Sequence, residues 1–147
     1  KVRYVMPDVN HDTFTGIKGI LNARMGILSK LHKEVIRSVF DTNLGSKIRL
    51  KGVSVARILS RPPSLLGEKE QQSLKLALSL DAQLEKCYEL QVKLHKIFYE
   101  NRGQDLMQQL RDWCHEAHAA HQKSLSDFAL WLEERFLIAT EGEACGH

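Results

Sequence analysis

The sequence predicts a mainly α protein, a helical bundle preceded by a short N-terminal strand. Three observations carry this. Between Leu84 and Tyr99, at about 100° per residue, Leu84, Cys87, Tyr88, Leu90, Leu94, Ile97 and Phe98 share one half of a cylinder, and Glu85, Lys86, Glu89, Lys93 and Lys96 the other. Two further segments repeat that periodicity downstream. Alternation of the strand type is confined to the first six residues and to a basic run near residue 50.

Lys1–Met6 reads as a strand in which Val2, Tyr4 and Met6 alternate with Lys1, Arg3 and Val5, and Pro7 ends it. Asp8 then stands just past a strand end, where a carboxylate is held by the sheet yet open to a substrate. The plainer reading is that Asp8 or Asn10 starts a turn or caps the next helix. From about Thr13 to Phe40, Phe14, Ile17, Leu21, Leu28, Leu31, Val35 and Val39 recur at helical spacing. Gly16, Gly19 and Gly26 interrupt that helix, each costing about 1 kcal/mol relative to Ala, which predicts a kink or a close approach of another backbone. Residues 41–45 carry turn chemistry. Lys47, Arg49 and Lys51 then alternate with Ile48, Leu50 and Gly52, and Arg57 and Arg61 continue the basic run to Pro62-Pro63. This run contains no aromatic residue, so it gives no platform for base stacking.

Ser64 to Leu80 reads as a helix capped at Ser64, and Asp81 as the cap of the central helix. After Asn101-Arg-Gly103, a helix over about Gln104–Ala120 places Leu106, Leu110, Trp113, Cys114, Ala117 and His121 on one face. The last helix, about Leu125–Ile138, carries Leu125, Phe128, Ala129, Leu132 and Phe136, with Ser124 and Asp127 resembling a capping box. Cys114, His118 and His121 fall on a shared helical face, which makes a zinc site conceivable. They also coincide with the apolar stripe, and a free cysteine is among the most buried residue types, so packing is the simpler reading.

Composition bounds the rest. With 147 residues the chain reads as one domain able to bury a core without staples, in three parts: 1–62, 63–139 and 140–147. Cys87, Cys114 and Cys145, odd in number and widely spaced, fit a reducing cytoplasm better than a secreted scaffold. No apolar run approaches the roughly 20 residues that span a bilayer, and no signal-peptide layout is present, so no membrane partner is expected. The chain begins at Lys1 instead of Met, which suggests a fragment or processed piece. The net charge of +3 conceals an asymmetry: residues 1–62 hold 12 basic and 4 acidic groups, and residues 63–147 hold 9 and 14. The basic half is where a polyanion would bind, through phosphates and without reading sequence. A solvated basic surface is the alternative.

Several residues align beyond what periodicity demands. Leu50-Lys-Gly52, Ile58-Leu59, Pro63, Leu65-Leu66, Leu78, Asp81, Leu84, Tyr88-Glu-Leu90, Leu94, Trp113, Ala117, Leu125 and Phe128-Ala129 resemble the helical region of bacterial insertion-sequence transposases of the ISL-three group, over roughly residues 47–136. The resemblance implies a helical region inserted into an RNase H-like DDE domain, here incomplete, between the second and third catalytic acids. It implies DNA as partner, self-association through helix faces, and Mg²⁺ in the intact family enzyme. Asp8-Val9-Asn10-His11 matches the second-acid segment, with Asn10 in place of an aromatic, so Asp8 would be catalytic and a metal ligand, with His11 beside it. Thr140-Glu-Gly142-Glu-Ala144-Cys-Gly146-His is similar to the third-acid segment, with Cys145 at the expected glutamate and Glu141 or Glu143 as the acid in a shifted register. The first acid would lie upstream of Lys1. Two-metal strand transfer needs carboxylates holding ions about 4 Å apart. The expectation is thus a DNA-binding derivative of a DDE transposase, inactive as an isolated chain, contacting DNA through Lys47, Arg49, Lys51, Arg57 and Arg61. The alternative is a non-enzymatic helical module that docks a protein partner along an apolar stripe.

Overall fold

The computed structural model describes residues 17–44 and 55–137, and among these every regular element is helical. The expected strand over Lys1–Met6 lies outside the described residues. α1 (Ile17–Leu31) runs through a π-turn at His32–Ile36 into α2 (Arg37–Asn43). α3 (Val55–Ile58) is a single turn, followed by a 3₁₀ turn at Pro63–Leu65, α4 (Glu68–Ser79), α5 (Ala82–Glu100), α6 (Gly103–Ala119), α7 (Lys123–Leu132) and a second π-turn at Glu133–Leu137.

The hub is α5. It packs against α1, the first π-turn, α2, α4 and α6, while α7 closes the other side against α6, α1 and the first π-turn. All seven apolar residues of its predicted stripe are buried, and the five charged residues opposite are exposed. Its start is fixed by Asp81, whose carboxylate accepts from the Leu84 amide at 3.1 Å and so satisfies one of the orphan donors of a first turn. The same Asp81 oxygen accepts from Asn43 Nδ2 at 2.7 Å, and Asn43 also donates to Gln83 Oε1 at 2.9 Å, which ties the end of α2 to the start of α5.

One continuous apolar core runs from Ile20 to Leu137. Trp113 is fully buried at its centre, meets Phe128 edge-to-face at 5.7 Å, and donates its indole N–H to the Leu90 carbonyl at 2.8 Å. That bond gives the polar tip of a buried indole the partner it requires. Phe128 continues through Trp131 to Phe136, each pair under 6 Å between ring centroids, and so joins α7 to the second π-turn.

Several boundaries differ from the sequence reading for local reasons. The long first helix departs from α geometry at His32–Ile36, not at a glycine. Gly19 is buried, but Gly26 is exposed, and a Cβ there would meet nothing within 4 Å, so no backbone approaches it. Ser64 does not cap α4. Pro62 and Pro63 lead into the 3₁₀ turn, and α4 begins after Gly67, whose amide donates to the Glu70 carboxylate at 3.1 Å. Ser124 and Asp127 do not form a capping box at α7. Gln122 is the cap, its Oε1 accepting from both the Leu125 amide and the Ser124 hydroxyl at 2.7 Å. His121 leaves the apolar face altogether, since it follows the end of α6 at φ 56° and is exposed.

Candidate nucleic-acid interface

Of the five basic residues assigned to polyanion contact, Arg57 and Arg61 fall within the described structure. Lys47, Arg49 and Lys51 lie outside the described residues, as do Asp8, His11 and Cys145. Arg57, on α3, meets the Glu70 carboxylate at 3.3 Å, so part of its charge is answered within the fold. Arg61 is exposed on the turn that follows α3, and among the described residues no ion pair neutralises it.

That turn is built to stay in place. Two prolines restrict its backbone, and Pro62 is extended at φ −69°, ψ 154°. Side chains from α4 and α5 then hold its carbonyls. Tyr88 donates its hydroxyl to the Arg61 carbonyl at 2.5 Å, Gln91 donates Nε2 to the Leu59 carbonyl at 2.7 Å, and Gln71 donates to the carbonyls of Pro63 and Leu66 at 2.9 and 3.1 Å. Gln91 is only 1% exposed, the single buried polar residue among the described ones, and its bond to Leu59 gives a core amide a positional task. Ile58, Leu59 and Leu66 anchor the turn from beneath.

Between this turn and the second half of α5 lies an open cleft of about 700 Å³. The turn contributes Arg61, Pro62, Pro63 and Leu65, and α5 contributes Val92, His95, Lys96 and Tyr99. Those four α5 residues stand at i, i+3, i+4 and i+7, a second helical face of mixed chemistry beside the buried stripe. Tyr99 is 63% and Leu65 67% exposed, high values for residues of their size. Arg24 of α1 brings its guanidinium to 5.4 Å from the Tyr99 ring centroid, within cation–π range. Among the described residues no ion pair neutralises Lys96. Burial holds the pKa of His95 below the ordinary imidazole value, so the ring is neutral at pH 7. Glu100 is the one carboxylate on the lining.

The cleft combines two exposed cations, an exposed ring and an apolar floor. The sequence did not disclose it because the basic run carries no aromatic of its own, and Tyr99 arrives from a helix nearly forty residues later. The stripe at Val92, His95, Lys96 and Tyr99 was the available signal.

The cysteine–histidine constellation resolves into packing. Cys114 is fully buried with its Sγ 3.8 Å from the Ala129 carbonyl, and burial, with the Glu133 charge adding to it, pushes its thiol pKa well up. His118 Nε2 lies 2.9 Å from Glu133 Oε1, and His121 points out of the face. Among the described residues no group of three His, Cys, Asp or Glu side chains stands close enough to hold an ion. Cys87 is likewise buried, its pKa pushed up to about 11 by burial and then by the Asp81 charge. Among the described residues no helix is long and apolar enough to cross a membrane.

A family model described as a transposase, of the DDE type and the ISL-three group, matches residues 3–137. The chain belongs to that family. No curated protein and no solved structure matched in the corresponding comparisons. The match covers every described element of this transposase, so the bundle and the cleft both belong to the family's own sequence. DDE transposases in general use divalent metal.

Proposed function

We propose that this transposase-family chain engages DNA through the cleft between the Arg61 turn and α5, and that its work is positioning DNA, not cutting it. The observation that carries the reading is the pinned turn, which fixes Arg61 on the same cleft as Lys96 with no ion pair from the described residues to neutralise either. Two cations on one cleft contact successive phosphates, and the backbone that carries Arg61 is already ordered before binding. Arg24 adds a cation beside Tyr99 on that lining, and the proposed contact extends to Lys47, Arg49, Lys51 and Arg57 of the basic run. In the intact family enzyme the resemblance would make Asp8 a metal ligand with His11 beside it. With Cys145 at the expected glutamate, and Glu141 or Glu143 the acid only in a shifted register, the reading assigns this chain no metal-dependent cleavage step.

The test is duplex binding followed by fluorescence anisotropy across a salt series. Log affinity should fall linearly with log salt, and the double variant Arg61→Glu/Lys96→Glu should flatten that slope by about 1.8, on the order of 0.9 per lost phosphate contact. An affinity indifferent to salt, or a variant with the parent's slope, would sink the proposal. A module that docks a protein through an apolar stripe would also tolerate charge reversal at Lys47, Arg49 and Lys51, whereas DNA binding would not.

A further inference from the structure

A cleft that met only the outside of a duplex would have no use for an exposed ring on an apolar floor. Phosphates are recognised by cations and by N–H and O–H donors; the side chains of Leu65, Pro62, Pro63 and Val92 supply none of these, and Tyr99 supplies only the hydroxyl at the end of a wide exposed ring. These groups suit a flat, weakly polar surface, and the cations beside them suit the anion covalently attached to it. A nucleotide whose base is out of the double helix has both parts.

We propose that Tyr99 is a stacking platform for an unpaired nucleobase of single-stranded DNA, with Arg61 and Lys96 taking the adjoining phosphates. Three features support this. The ring is 63% exposed although it follows directly after buried Phe98, so it does not serve the core. Arg24, 5.4 Å from the centroid, steadies the ring from α1 and leaves it largely open to solvent. The cleft, at about 700 Å³, falls in the roughly 300–1,000 Å³ range of clefts that enclose small ligands, large enough for a nucleotide. The lining cations attract any anion and Glu100 tempers that attraction, so charge does not separate DNA from an acidic peptide; the decisive feature is the ring, which every base can stack upon whatever its sequence. The inference rests on the cleft being the DNA interface, and it specifies which form of DNA the cleft takes.

The full chain is titrated by anisotropy with labelled oligothymidylate of twelve nucleotides and with a twelve-residue abasic oligomer, which keeps the phosphates and lacks the bases. The parent should bind the thymidylate about 5- to 150-fold more tightly than the abasic strand, the range expected for one stacked base. Tyr99→Ala should erase that preference while leaving the salt slope unchanged, and Tyr99→Trp should keep it. Because the side chain is exposed, thermal melting of both variants should match the parent. Equal affinity of the parent for the two strands, or a preference that survives Tyr99→Ala, overturns the proposal. If duplex binding and its dependence on Arg61 and Lys96 persist alongside that result, the interface stands and stacking falls. If neither strand nor duplex binds, both fall together.

Discussion

At the scale of single residues, the fold depends on a few side chains with defined tasks, and Gly26 has none. It sits inside α1, is exposed, and offers open space where a Cβ would go. Glycine in such a place only adds freedom to the unfolded chain. Gly26→Ala is therefore expected to stabilise the protein by about 0.5–1 kcal/mol, read as a rise in the chemical-denaturation midpoint at constant slope. A loss of stability would show that the position is packed after all. Gln91 is the opposite case. Its place on the buried side of α5 was not legible from periodicity, which sorts residues by hydrophobicity and has no means of recognising an amide that is buried because a turn needs its N–H. Tyr88 shows the same blind spot from the other side. The stripe placed its ring in the core, but only the structure shows its hydroxyl on the Arg61 carbonyl, with burial pushing the phenol pKa up to about 12.

At the scale of elements, the central helix was the most legible part of the chain. Its apolar residues are closely spaced, strictly segregated from charge, and introduced by a strong cap at Asp81. Elements whose start depends on tertiary partners were read less well: Ser64 and Ser124 are good caps in isolation, but prolines and Gln122 decide where α4 and α7 begin. The Asp81 cap does more than a cap usually does, because it also accepts from Asn43. Asp81→Ala is expected to cost about 1 kcal/mol for the cap and a further fraction for the stranded Asn43, whereas Asp81→Ser should recover most of the first part. Urea unfolding of both variants separates the two contributions, and an equal loss in each would assign the effect to the Asn43 contact alone.

At the scale of the whole molecule, the one core joins the basic first segment to the bundle, and its stability should depend on pH through two half-buried imidazoles. His32 has its pKa lowered first by burial and then by the Arg37 charge, and His95 has its pKa lowered by burial. In both, the folded state binds a proton less readily than the unfolded chain does, so stability is complete above the unfolded value near 6.5 and is lost as pH falls through and below it. The melting temperature should thus be flat from pH 8 to 7 and decline toward pH 5, with His95→Gln removing part of the decline. A melting temperature that rises on acidification would contradict the assigned direction. The candidate interface belongs to this scale too. Arg61 and Tyr99 are far apart in the chain, and only the docking of the turn on α5 makes them neighbours on one cleft, which is why neither the basic run nor the helix disclosed it alone.

The π-turn at His32–Ile36 has a consequence for the length of the chain. Ile27, Leu31, Val35 and Val39 follow one another at intervals of four, a spacing that drifts around an α-helix, and the wider turn lets the stripe stay on the core. Deleting one residue of this turn, Lys33 or Glu34, would restore ordinary α geometry and a complete hydrogen-bond ladder. It would also rotate everything from Arg37 onward by about 100°, turning Val39 and Phe40 off the core and carrying Asn43 away from Asp81. The fold thus reads the number of residues in this turn as strictly as their identity, so related chains that differ here by one residue would need a matching change at the α2–α5 junction.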